Sequence, residues 1–232
     1  MKVDPKNPED PDRDRFVLSK GHGAPCYYAV LGELGFFDKE EFKNFRQLHS
    51  MLQGHPDAKK VPGVDASTGS LGQGVSIATG MALGAKTAKK NLHVYTLLGD
   101  GELQEGQVWE ACTAAAHYGL DNLTVLIDNN GLQIDGKIDD VNSPYPIDKK
   151  FEAFRFHVIN VDGHDFDALK QAFDEARTVK GQPTAIIAKT IKGKGVSFME
   201  DQASWHGVAP NDEQYKLAME ELEKAGEALC QK

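Results

Sequence analysis

Two apolar runs in this chain end in short polar stretches, LLGDG closing at Gly101 and LIDNN closing at Asn130. Asp100 offers a carboxylate oxygen and Asn130 a neutral amide oxygen, and Gly99 and Gly101 leave room for a ligand close to the backbone. A hard divalent cation such as Mg²⁺ takes about six oxygens near roughly 2.1 Å, some from protein and the rest from phosphate and water. One carboxylate, one amide and one backbone carbonyl, with Leu132 the candidate, make half of such a shell, and a diphosphate suits the other half. Singly, GDG and DNNG read as turns between strands. Together, with one helix between them, they point to an ion held between two strand ends.

Three histidines lie in loops beside glycine: His22 in SKGHG, His55 in QGHP and His206 in SWHG. A lone loop histidine is ordinarily a surface residue. Three around a ligand site can donate hydrogen bonds and exchange protons near neutral pH. Glu105 in LQEG suits the first turn of a helix, where the dipole favours an acid. Trp109 reads as core packing, and Ser67 and Thr68 are equally readable as turn formers or as part of a ligand-side loop. Lys192 and Lys194 in KTIKGKG are equally readable as phosphate contacts or as a solvated loop.

The elements that must position these residues alternate. Strand-like runs cover 92–99, 123–128, 156–163 and 183–190, and helical patterns with glycine stops cover 104–119 and 166–181. Strands apolar on both faces and separated by helices predict an α/β fold, a doubly wound and mostly parallel sheet with helices on both faces. Ligands of such sheets bind outside the carboxyl ends of the strands, where GDG and DNN fall. Asp38 and Glu41 are spaced as a capping box and predict a helix start. LGQGVSIATGMALGAKTAKK suits a helix packed closely on other backbone, and 211–232 an amphipathic helix with a frayed tail. Residues 1–15 read as an extended, polar, solvent-facing lead-in.

The 232 residues fit one such domain. A net charge of −9 argues against a nucleic-acid or anionic-membrane surface. Three cysteines without CxxC or metal spacing read as reduced thiols of a cytoplasmic protein. No apolar run approaches the roughly 20 residues that span a bilayer.

GDG followed by NN resembles the thiamine diphosphate and magnesium signature. SKGHGAPCYYAVLGELG, QGHPDAKKVPGVDASTGSLGQGVSIATGMALG, GDGELQEGQVWEA and GVSFMEDQASWHGVAP resemble the amino-terminal part of transketolases, over Phe16 to Pro210. GVDASTGSLGQG is the most specific of these. The resemblance implies that Asp100, Asn130 and the Leu132 carbonyl hold magnesium, or calcium, which holds the diphosphate. It places Gly69, Ser70, Leu71, Gly99 and Gly101 along the cofactor. His22 and His206 would stand near the diphosphate and the reacting centre, and His55 against the sugar. Glu105 would join a carboxylate network between paired subunits.

The family's cofactor is activated by a glutamate of a second, pyrimidine-binding domain, for which nothing after Pro210 leaves room. The resemblance therefore implies the amino-terminal subunit of a split transketolase, with a separate carboxy-terminal partner, in a heterotetramer of two chains of each kind. The domain itself would run from 16 to 210. The implied reaction moves a two-carbon ketol unit from a ketose phosphate to an aldose phosphate. An upstream helix and an SGHPG-type loop of the family are expected to be missing. A 1-deoxyxylulose-phosphate or dihydroxyacetone synthase, or a non-catalytic paralogue, remains an alternative.

Overall fold

The computed structural model describes residues 1–230. Polar residues 1–14 lead into strand β1 (Arg15–Leu18), and a short turn through Gly21–Gly23 opens helix α1 (Ala24–Leu34). Helix α2 (Gln73–Thr87), strand β2 (Val94–Gly99), helix α3 (Gly106–His117) and strand β3 (Leu123–Asn129) follow. A two-residue hairpin, β4 (Leu132–Gln133) and β5 (Gly136–Lys137), leads to the short helices α4 (Ile138–Asn142) and α5 (Ile147–Ala153). Strand β6 (His157–Asp162), helix α6 (Phe166–Thr178), strand β7 (Thr184–Lys189) and helix α7 (Asp212–Cys230) complete the chain.

The five-stranded sheet has the order β1-β2-β3-β7-β6, with every neighbouring pair parallel. Its carboxyl ends therefore face one edge. Registered rows alternate between faces, as the two-residue period of a strand requires. Val17, Thr96, Val125, Ala185 and Val158 form one row, and Leu18, Leu97, Leu126, Ile186 and Ile159 the next.

The first face is covered by α2, α3 and α5, with Ala78, Ala82, Val108, Ala115 and Phe151 in one apolar core. Alanine and glycine let α2 lie close to the sheet and to α3. Phe151 is fully buried, which contributes about 1.5–3 kcal/mol. The opposite face carries two separate clusters, under α1 (Ala24, Tyr28, Leu31) and under α6 (Ala172, Ala176). Helices on both faces of a parallel sheet make the expected doubly wound α/β architecture. Among the described residues no helix is long and apolar enough to cross a membrane.

Two expectations need correction. The lead-in is not wholly solvent-facing, since Arg13 and Asp14 are 5% and 2% exposed. Arg13 pairs with Asp65 at 2.7 Å, and Asp14 accepts from the backbone of Lys2 and His93 and from Arg177. Ion pairing to distant residues outweighs local polarity here. The helix predicted after Asp38 is a 3₁₀ turn, Lys39–Asn44, in which Asp38 caps Glu40 N–H rather than Glu41. Strand β1, four residues of mixed polarity, carries too little periodicity to stand out in the sequence. The helix expected over 211–232 is present as α7, while the end of the tail falls outside the described residues.

Candidate active site

The carboxyl ends of β1, β2, β3 and β7 bring Lys20, Asp100, Asn130 and Lys192 to one edge of the sheet. Asp100 follows β2 directly and is 1% exposed. Its carboxylate accepts from Gly101 N–H at 2.9 Å and from Gly131 N–H at 2.6 Å. The second bond joins the GDG turn to the DNNG turn, so the two polar stretches meet in space. Burial pushes the Asp100 carboxyl up, against the two N–H bonds and Lys189 and together with the nearby Asp128 charge. A cation at Asp100 would relieve that cost.

Asn130 turns its amide oxygen to Leu132 N–H at 3.0 Å and its amide nitrogen to Asp128 at 3.3 Å. Leu132 begins β4 with its side chain buried. Asp128 pairs with Lys20 at 2.5 Å and accepts from Thr190. Burial alone would raise the Asp128 carboxyl, but Lys20, Thr190 and Asn130 together hold it below the usual range.

Two of the three histidines meet here. The rings of His22 and His206 lie 5.2 Å apart, tilted by 32°, and Lys192 Nζ is 3.3 Å from His206 Nδ1. The His22 imidazole is pushed down to about 4, by burial first and then by His206, Lys20, Lys192 and His55. By surface area the residue is nevertheless exposed. His206 is lowered by burial and then by Lys192 and Lys20. Burial lowers Lys192 too, and the residue is half-buried. Lys194 is exposed and meets Glu200 at 3.3 Å, the solvated alternative.

The 67–72 loop forms the next wall. A methyl group on Gly21 would lie 2.7 Å from Gly69 N, so the SKGH turn and this loop touch backbone to backbone. His55 is exposed at the rim, its ring lying against Gly69. Ser70 is exposed and Leu71 half-buried. Ser67 accepts from Ala58 N–H, and Thr68 donates to the Leu18 carbonyl at 2.6 Å, which ties the loop to the end of β1.

A family model described as "Transketolase, thiamine diphosphate binding domain" matches residues 1–226. The chain belongs to the transketolase amino-terminal family. It is 44% identical over 226 residues to the 6-deoxy-6-sulfo-D-fructose transketolase subunit of Clostridium sp. (strain MSTE9), covering 97% of this chain and 82% of that one. It is 41% identical over 219 residues to an apulose-4-phosphate transketolase subunit of Actinobacillus succinogenes, covering 94% and 79%. Human transketolase is 49% identical over 211 residues, 89% of this chain and 33% of that one. The crystal structure of Campylobacter jejuni transketolase superimposes with a TM-score of 0.91 at 38% identity, covering 96% and 36%. The chain thus spans about a third of these larger transketolases and most of the two subunits. It is a transketolase-type thiamine diphosphate subunit, of the transferase class.

The transketolase edge fits its cofactor on its own geometry. A desolvated carboxylate and an amide oxygen lie on adjoining turns, beside two lysines and two histidines able to donate to phosphate. Among the described residues no three His, Cys, Asp or Glu side chains gather into a ready metal shell. A cation at Asp100 would draw most of its oxygens from amide, carbonyl, phosphate and water.

Glu105 precedes α3 as its N-cap, exposed and making no side-chain capping bond. Trp109 packs against Phe151 and Phe154 in the core, as expected. Sequence reasoning missed Lys20, Asp128 and Glu102, of which Glu102 is 2% exposed. Lys20 and Asp128 stand inside motifs that were legible, next to the residues that drew the reading. Nothing in GDGELQEG marks Glu102 rather than Glu105 as the buried acid.

Proposed function

We propose that this transketolase chain holds the diphosphate and metal half of the active site, and that a separate pyrimidine-domain chain completes it in an α2β2 assembly. The observation that carries the reading is the bond from Gly131 N–H to Asp100, which sets the two signature turns side by side. Asp100, Asn130 and the Leu132 carbonyl would hold magnesium, or calcium in its place. Lys192, His206 and His22 offer N–H donors to the diphosphate, and Gly69, Ser70, Leu71, Gly99 and Gly101 leave room along it.

Thiamine diphosphate, when bound, supplies the carbon nucleophile that exchanges the two-carbon ketol unit between a ketose phosphate and an aldose phosphate. The protein's part is to orient, to exclude water and to move protons. His22 and His206, neutral at pH 7, can each donate from one nitrogen and accept at the other. His55, exposed beside Gly69, would contact the sugar and assist proton transfer at its hydroxyls. Glu105, also exposed, suits a carboxylate contact between paired chains. Three cysteines without disulfide or metal spacing suit the reducing cytoplasm.

The test is ketol transfer from xylulose 5-phosphate to ribose 5-phosphate, with magnesium, thiamine diphosphate and a pyrimidine-domain chain from the same source. A second donor arm uses 6-deoxy-6-sulfofructose and apulose 4-phosphate, the sugars in the names of the two shorter relatives. Turnover is expected only with both chains present. Turnover by this chain alone would overturn the split site, and cofactor binding without turnover on any donor would favour a non-catalytic paralogue.

A further inference from the structure

We infer that Glu102 is a positioning residue whose buried carboxylate ties three cofactor-side loops into one arrangement: the turn after β1, the start of α2 and the end of β2. The inference rests on the functional reading above, because only that reading makes the three loops one site.

Glu102 Oε1 accepts from the Ser19 hydroxyl at 2.5 Å and from Gly72 N–H at 2.8 Å, and Oε2 accepts from Gly99 N–H at 3.2 Å. Ser19 is fully buried, and its hydroxyl in turn accepts from Val75 N–H at 3.2 Å. One carboxylate therefore collects donors from three elements lying 3 to 83 positions away in sequence. Each tie is adjacent to a functional candidate. Ser19 leads into His22, Gly72 follows Gly69, Ser70 and Leu71, and Gly99 precedes Asp100.

The fit is particular to a carboxylate. Gly72 is the N-cap of helix α2, with a left-handed φ of +81° and no side chain of its own to cap the helix. Its buried N–H would otherwise be an orphan donor, and an unpaired buried donor is costly. Glu102 supplies the acceptor from another element. All three ties are donors facing the acid, so it accepts at both oxygens and donates nothing. A glutamine of the same shape sets an amide NH₂ against at least one of them. Glu102 reaches the cofactor side only through the backbone it holds.

Two readouts separate positioning from mere stability. Amide exchange by NMR on the full chain, with no cofactor, follows Gly72 and Gly99. The half-saturating concentration of thiamine diphosphate and kcat are then measured for the reconstituted enzyme. In Glu102→Gln at least one of the two amides, the one set against the NH₂, is expected to exchange at least tenfold faster, and the half-saturating concentration to rise at least tenfold, with kcat at saturation within about threefold of wild type. If that variant does not fold, Ser19→Ala removes one of the three donors to Glu102, together with the acceptor of Val75 N–H, and should show the same changes to a smaller degree. Thr124→Val is the control, because it removes the His93–Thr124 bond of 2.8 Å in the buried start of β3. It should lower the melting temperature and leave both readouts unmoved. Unchanged exchange at Gly72 and Gly99 in Glu102→Gln, with wild-type cofactor dependence intact, overturns the positioning role alone. An equal cofactor effect in Thr124→Val also overturns it, as general destabilisation. Wild-type protein that shows no thiamine diphosphate dependence instead brings down the functional reading and the inference resting on it.

Discussion

Asp100 is a buried carboxylate with two backbone donors and no direct cationic partner among its hydrogen bonds. Replacing it with alanine removes the charge that a metal would neutralise. Calorimetric titration of magnesium and thiamine diphosphate into the two-chain assembly should show affinity weakened at least tenfold, about 1.4 kcal/mol. Full affinity in that variant would move the ion site elsewhere. His22 gives a pH signature with a definite sign. Its pKa near 4 lies below the usual value near 6.5, so the free protein holds it neutral at pH 6. Below pH 6.5 this depressed group makes the apo fold less stable, because the unfolded chain takes up the proton first. A bound diphosphate favours the charged imidazolium and raises the pKa. Cofactor binding at pH 6 should therefore take up more protons in wild type than in His22→Asn, as read by calorimetry in buffers of differing ionisation enthalpy. Equal uptake would place His22 away from the diphosphate.

At the scale of elements, the carboxyl edge works because loops from different strands pack without side chains between them. Gly21 is the tightest instance, lying against the backbone of Thr68 and Gly69. A methyl group there cannot be absorbed by a rotamer change, because the atoms it meets are main chain. Gly21→Ala should cost about 1–3 kcal/mol in urea unfolding, the range for overpacking. It should also weaken cofactor binding, since the SKGH turn and the 67–72 loop must separate. Loss of stability with unchanged cofactor affinity would show that the contact is not part of the site. The strands and helices around this edge were legible from periodicity. The run at 123–128 became β3 with one residue added, and 166–181 became α6, shortened by its C-terminal residues. Strand β1 and helix α1 were not, because four mixed residues and an aromatic, glycine-interrupted segment carry little regular pattern.

Across the whole molecule, the polar lead-in is stitched to α6, far along the chain. Asp14 accepts from Arg177 on α6, 163 positions away, at 2.5 Å, and its side chain is 4% exposed while that of Arg177 is 46% exposed. Asp14→Ala leaves the N–H groups of Lys2 and His93 unpaired. The solvated arginine discounts the ion pair itself, so the expected loss is about 2 kcal/mol in urea unfolding, with cofactor affinity unaffected. A loss within experimental error would make the lead-in a passive coil. By itself the sequence determined the parallel α/β class, the two signature turns and the family, because strand periodicity, turn chemistry and motif spacing are all properties of near neighbours along the chain. Tertiary structure alone decided that the strand order is β1-β2-β3-β7-β6, that Arg13 and Asp14 are buried, that His55 stays at the rim while His22 and His206 meet, and that Glu102 rather than Glu105 is the buried acid. The physical reason is common to all four: each depends on which distant donor, charge or apolar face arrives in contact, and burial sets that only once the sheet has closed.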